Sequence, residues 1–204
     1  MPKILIASRD EAIDILDAPE YNKKVTAIVS ISDHTRSAPK PVIKSQEKKD
    51  KIILVLHFDD MEKEMVGNPR CRGWEPPQRK HVMAIIEHAK QMLDSGGWIL
   101  CHCNAGISRS SATAFILKSI ELGPGNEKQA LIETLKIKSM IAPNEWMVEL
   151  ADEILGKEWD LSGALKKIRH LRSQIGYSEI ESLDSILEKY PNVQIIGKGQ
   201  IMRI

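Results

Sequence analysis

Short apolar runs rich in β-branched residues alternate along the chain with longer segments of helical period. Lys3–Ala7, Val25–Ser32, Ile52–Phe58 and Trp98–His102 read as strands, nearly unbroken in apolar character as buried parallel strands are. Asp10–Leu16, Gln78–Asp94, Ser108–Leu122, Asn126–Lys138 and Glu145–Leu155 carry the spacing of amphipathic helices. Strand–helix alternation through residue 156 predicts an α/β fold, with a central, mostly parallel sheet flanked by helices. The texture changes after Gly156. Leu161, Leu165, Ile168, Leu171 and Ile175 share one helical face, and Ser178 with Glu181 forms a capping box ahead of a second helix that Pro191 stops. Val193–Ile196 and Gln200–Ile204 then flank Gly197-Lys198-Gly199 as a hairpin. This small α+β extension, 157–204, is too short to bury a comfortable core alone and is expected to pack on the first domain, 1–156, or on a partner.

Two loops interrupt the alternation. Asp33–Lys51 holds six Lys/Arg against three acids and reads first as a solvated face. Asp59–Gln78 contains Gly67, Pro69, Gly73, Pro76 and Pro77 and is long for a compact domain, which marks it as functional.

Composition changes this picture little. Lys+Arg 29 against Asp+Glu 28 leaves a net charge of +1, with no whole-chain pull toward nucleic acid or an anionic membrane. No apolar run is long enough for a membrane span and the N-terminus shows no secretory signal, so a cytoplasmic location is expected. Cys71, Cys101 and Cys103 make neither a disulfide framework nor a zinc motif, and the six histidines show no metal spacing. No metal or other cofactor is called for.

The chemistry concentrates in His102-Cys103-Asn104-Ala105-Gly106-Ile107-Ser108-Arg109-Ser110. A strand, a tight loop and a helix start place converging backbone N–H groups and a helix dipole around one anion site. Gly106 frees the backbone to curl, and Arg109 offers a planar fork for two phosphate oxygens. In such a field a thiolate at Cys103 is favoured over the thiol, giving a nucleophile aimed at phosphorus. Cys101, two residues earlier on the strand, reads as a small core residue.

Cys, five residues, Arg, with His before and Ser after, resembles the phosphate loop of the cysteine-dependent protein tyrosine phosphatases. Its Ala-Gly-Ile-Ser-Arg-Ser wording is most similar to the dual-specificity phosphatases. Ile141-Ala142-Pro143-Asn144-Glu145-Trp146-Met147-Val148-Glu149-Leu150 resembles the Pro-Asn segment that opens the last helix in that family. The resemblance covers roughly residues 1–156 and leaves the extension unmatched. It implies Cys103 as nucleophile and Arg109 as phosphate ligand. Ser110 would support the sulfur as leaving group, and Asn104, Ala105, Gly106, Ile107 and Ser108 would form the phosphate cradle. His102 and Asn144 would brace the loop from behind. It also implies a general acid just after the third strand. The family reads Phe, one residue, Asp there, which favours Asp60 over Asp59, although the separation from Cys103 exceeds the family's usual one and leaves Glu62 and Glu64 in play. Cys71 is a candidate partner for a reversible disulfide with Cys103, and Trp74 could cover an aryl group or pin the loop.

The implied reaction is hydrolysis of phosphotyrosine, with phosphoserine and phosphothreonine as further candidates, through a phosphocysteine. The partner is then a phosphorylated protein. The uncharged residues within the loop argue against phosphoinositides. Two other readings stay open: an RNA 5′-phosphatase using 157–204, whose eight Lys/Arg against six acids is weakly basic, and a non-catalytic phosphopeptide-binding adaptor.

Overall fold

The computed structural model describes residues 3–34, 50–138, 140–175, 193–196 and 200–203. The second tail helix expected ahead of Pro191 lies outside the described residues, as does most of the basic loop. Four parallel strands form the central sheet in the order β1-β4-β2-β3, with β1 at Lys3–Ala7, β2 at Val25–Ser32, β3 at Ile52–His57 and β4 at Trp98–His102. β3 stops one residue short of the expected Phe58. The interior strands β2 and β4 are buried almost throughout, whereas the edge strand β3 is half-buried over Ile52, Ile53 and Leu54 and leaves Val55 exposed.

Helices cover both faces. On one side α1 (Arg9–Asp17) packs Ala12 and Leu16 against Ile28 and Leu100, and the short α2 (Pro19–Asn22) follows it. Ser8 and Glu11 close a reciprocal capping box that starts α1 one residue before the predicted Asp10. On the other side lie α3 (Arg79–Leu93), α4 (Arg109–Leu122), α5 (Glu127–Ile137), α6 (Glu145–Leu155) and α7 (Leu161–Ile175). α4 is the centre of that layer: every residue from Arg109 to Ser119 is buried, because strands and three helices surround it.

The extension joins this same core through α7. Leu161, Ala164, Leu165 and Ile168 are buried with the α5 and α6 side chains. Burying each large aliphatic contributes about 1.5–3 kcal/mol. Asp152 of α6 caps the new helix, accepting from the Leu161 and Ser162 backbone N–H groups at 2.7 and 2.8 Å. β5 (Val193–Ile196) and β6 (Gln200–Arg203) pair antiparallel, and Ile204, the last residue expected in the second strand, lies outside the described residues. Among the described residues no helix is long and apolar enough to cross a membrane.

Parallel register brings the carboxyl ends together: Ala7 lies beside His102, His102 beside Ser30, and Ser32 beside His57. Sheets of this kind present their ligand sites at that edge. Alternation along β4 also decides which cysteines share a side. Ile99, Cys101 and Cys103 face the α4 layer, while Leu100 faces α1.

Candidate active site

Residues 103–108 curl directly from β4 into α4 and are tied on both sides by backbone. Cys103 N–H donates to the Ala7 carbonyl at 3.4 Å, and Arg9 N–H donates to the Asn104 carbonyl at 3.1 Å. Gly106 has φ +70°, and a Cβ there would meet Ser8 N at 2.4 Å and Ala7 C at 2.6 Å. Only glycine fits both the left-handed backbone and the close approach to β1.

The Cys103 sulfur is buried in the cradle so formed. Gly106 N–H donates to Sγ at 3.3 Å, and Ser110 Oγ lies 3.3 Å from it. These polar neighbours and the α4 N-terminus make the pocket suited to negative charge on sulfur. Cys101 has the opposite setting: complete burial, with Cys103 beside it, pushes its thiol far up, in keeping with a core role. His102 is also buried, neither ring nitrogen has a hydrogen-bond partner, and burial pushes its pKa down to about 4. Its imidazole is therefore neutral at pH 7 and supplies packing behind the loop instead of a positive charge.

The Arg109 side chain is 3% exposed, with Nη1 donating to the Phe58 carbonyl at 2.7 Å and lying 2.8 Å from Asp33 Oδ1. Nε lies 3.9 Å from Asp60 Oδ2 and has no hydrogen-bond partner. Asp60 is thus at the mouth of the cradle, and both donors on its Oδ1 come from predicted site residues: Ser108 Oγ at 2.7 Å and Asn144 Nδ2 at 3.0 Å. Asp59 points elsewhere. It is buried, and its Oδ2 accepts from Glu75 N–H at 2.8 Å, pinning the long loop to the sheet. Glu62 caps α6 instead of facing the cradle, accepting from Glu145 and Trp146 N–H at 3.0 Å each.

Asn144 holds three parts together. Its Oδ1 caps α6 by accepting from Met147 N–H, its Nδ2 donates to Asp60 and to the Met61 carbonyl, and its backbone N–H donates to Ser108. Ala142 N–H donates to the Ile107 carbonyl at 3.0 Å, so the 142–144 segment backs the cradle along its length. The long loop contains two 3-10 turns, Lys63–Met65 and Pro69–Cys71, that its Gly/Pro texture did not reveal. Cys71 and Cys103 are both free thiols, and Trp74 is partly exposed.

Asp33 was missed by sequence reasoning. It pairs with Arg109 and accepts from Asn104 Nδ2 at 2.5 Å, yet in the sequence it reads as the first residue of a charged loop. The available signal was a carboxylate at the carboxyl end of an interior strand.

No family model matches the chain. Over 117 residues it is 30% identical to human dual specificity protein phosphatase 12, covering 56% of this chain and 30% of that protein. The chain therefore spans under a third of the length of the curated relative it matches. The structure is similar to that of human tyrosine phosphatase-like serine/threonine/tyrosine-interacting protein, with a TM-score of 0.54 at 23% identity over 76% of this chain and 92% of that one. Human DUSP28 gives a TM-score of 0.53 at 15% identity, over 82% of this chain and 96% of that one. The chain shares the α/β fold of these phosphatase and phosphatase-like structures. Over the matched 117 residues the sequence is similar to a dual-specificity phosphatase.

Proposed function

We propose that this protein is a cysteine-dependent phosphatase that hydrolyses phosphotyrosine in proteins, with phosphoserine and phosphothreonine as further candidate substrates. The observation that carries the reading is the convergence around one sulfur: Gly106 N–H and Ser110 Oγ on Cys103, with the Arg109 guanidinium in the same cradle and the Asp60 carboxylate brought to its mouth from the 59–78 loop. In the first step the Cys103 thiolate attacks phosphorus while the P–O bond to the leaving group breaks. Asp60 gives its proton to the departing oxygen. Oδ1 of Asp60 already accepts two hydrogen bonds, so the proton to be delivered belongs on Oδ2. Arg109 and the loop N–H groups bind the equatorial oxygens as charge spreads over them. In the second step Asp60 removes a proton from water, water attacks phosphorus and the S–P bond breaks. The Ser110 hydroxyl then donates to the departing thiolate. The residues in named roles suffice for this route.

Hydrolysis of para-nitrophenyl phosphate without added metal, beside Cys103→Ser, tests it. Wild-type turnover lost by about a thousandfold or more in the variant, with radiolabelled phosphate trapped on acid-quenched wild-type protein, is the expected result. Turnover that survives Cys103→Ser overturns the phosphocysteine route. Vanadate binding with no turnover of any phosphomonoester leaves a phosphopeptide-binding adaptor, and turnover confined to RNA 5′-phosphates points to the RNA reading.

A further inference from the structure

The reaction just described makes no use of Asp33, yet this residue holds two members of the cradle at once. One carboxylate oxygen lies 2.8 Å from Arg109 Nη1 and the other accepts from Asn104 Nδ2 at 2.5 Å. The pair is largely dry, with side chains 3% and 14% exposed. An ion pair in such a setting carries a desolvation cost that a surface pair does not, so its main value lies in the geometry it imposes. That geometry is specific. Nη1 is shared between the Asp33 carboxylate and the Phe58 carbonyl at 2.7 Å, which fixes the plane and the roll of the guanidinium. The edge left over, formed by Nε and Nη2, is the parallel pair of donors that grips two oxygens of a phosphoryl group. Nε is buried without a hydrogen-bond partner.

We propose that Asp33 is a positioning residue for Arg109, holding Nη1 and Asn104 so that the Nε/Nη2 edge of the guanidinium is presented to the phosphoryl group as it becomes trigonal bipyramidal. The proposal rests on the phosphatase reading of the site. It separates two effects of one carboxylate. As an anion beside an anion site, Asp33 opposes binding of a ground-state phosphate. As the holder of Arg109, it favours the transition state, whose equatorial oxygens need the guanidinium in one orientation. Removing the charge therefore moves phosphate affinity and turnover in opposite directions, which simple loosening of the fold would not do.

The experiment compares full-length wild type with Asp33→Asn, Asp33→Ala and Asp33→Glu, using turnover of para-nitrophenyl phosphate and binding of inorganic phosphate and orthovanadate. Vanadate adopts a bipyramidal geometry on a thiolate and so reports the transition state, while phosphate reports the ground state. In Asp33→Asn, kcat is expected to fall about tenfold, phosphate to bind as well or better, and the preference for vanadate over phosphate to fall about tenfold. Asp33→Glu, which keeps the carboxylate, should recover part of kcat. Asp33→Asn is nearly isosteric and carries the test alone should Asp33→Ala fail to fold. The proposal is overturned if kcat is unchanged or raised, or if phosphate and vanadate weaken in parallel. Failure of the phosphatase reading looks different: the wild type itself has no turnover and Cys103→Ser binds vanadate as well as wild type. That outcome overturns the positioning role as well, because vanadate would then not sit on the thiolate and Arg109 would have no transition state to meet.

Discussion

The cradle at 103–110 and the acid-bearing loop at 59–78 face the same mouth but are built on opposite principles. The cradle is a short connection between β4 and α4, shaped by neighbours in sequence and by the adjacent β1, with its sulfur and guanidinium almost fully buried. The acid loop has two 3-10 turns and leaves Val66 and Trp74 partly exposed. It takes its shape from distant partners: Asp59 on Glu75, Asn144 on Asp60 and Met61, and Glu62 on the first turn of α6. The cradle is thus local and self-determined, while the acid loop is positioned by tertiary contacts. Damage to the first should reach every substrate, while damage to the second should depend on the leaving group.

After loss of the Cys103 sulfur itself, the largest effect is expected from Gly106→Ala. A Cβ would stand 2.4 Å from the Ser8 nitrogen and the residue would hold φ +70°, so either β1 shifts or the curl opens. The left-handed conformation alone costs roughly 1–2 kcal/mol for a residue with a side chain. Loss of convergent N–H groups on Cys103 should lower turnover by ~10²-fold or more and weaken vanadate binding with it. Turnover within about threefold of wild type would mean that the cradle is not shaped by this glycine.

Next come the two adjacent carboxylates, which separate chemistry from scaffolding. Asp60→Asn should lower kcat by ~10²-fold on phenyl phosphate, whose leaving group needs a proton, and much less on para-nitrophenyl phosphate. Because an acid must be protonated to act, the rate that Asp60 supports declines as pH rises, and this basic limb should vanish in the variant. Asp59→Asn should keep that limb while lowering stability by about 1–2 kcal/mol, through the weakened hold on Glu75 N–H. Measuring both pH profiles decides the matter: a limb lost in Asp59→Asn and kept in Asp60→Asn reverses the assignment.

What was legible in the sequence follows the same division. The bounds of β1, β2, β4 and α6 agree with the pattern, because buried strands and an amphipathic helix write their periods directly into the chain. Cys103, Gly106 and Arg109 stand out because a strand, a tight loop and a helix start make an anion site of that segment, whereas Ser110 came only from resemblance. The preference for Asp60 over Asp59 came only from resemblance. In the structure it corresponds to one carboxylate facing Arg109 and the other facing Glu75, a difference of side-chain direction that no local pattern encodes. Asp33 and Arg169 stayed invisible for the same reason. Their partners lie far along the chain, Asp33 on Asn104 and Arg109, and Arg169 on Pro143 and Glu145. The α7 contact also shows why a boundary at Gly156 reads clearly in composition while the core runs across it.

The smallest expected effect sharpens the comparison at the point where the acid loop meets α6. Burial raises the Glu62 carboxyl from 4.5 to about 7, even though backbone N–H bonds from the α6 terminus favour its charged form. Between those two values the folded protein holds a proton at this site that the unfolded chain has lost. The stability so gained is complete below about pH 4.5 and disappears as pH rises through about 7. His102 works in the other direction, its stabilisation present above about 6.5 and lost as pH falls through about 4. Between about pH 4.5 and 6.5 the two contributions oppose each other and nearly cancel. Their sum should leave wild-type Tm almost level there and lower it only toward about pH 7, whereas Glu62→Gln, which cannot titrate, should leave the rise due to His102 uncovered. Since Gln retains an oxygen to accept from the α6 terminus, the acid loop should stay in place and kcat should change by less than about twofold. Superimposable Tm profiles for the two proteins would show that Glu62 ionises as freely in the folded state as in the unfolded one. A large fall in kcat with the altered profile would show instead that the charge on Glu62, and not the cap alone, holds Asp60 at the mouth of the cradle.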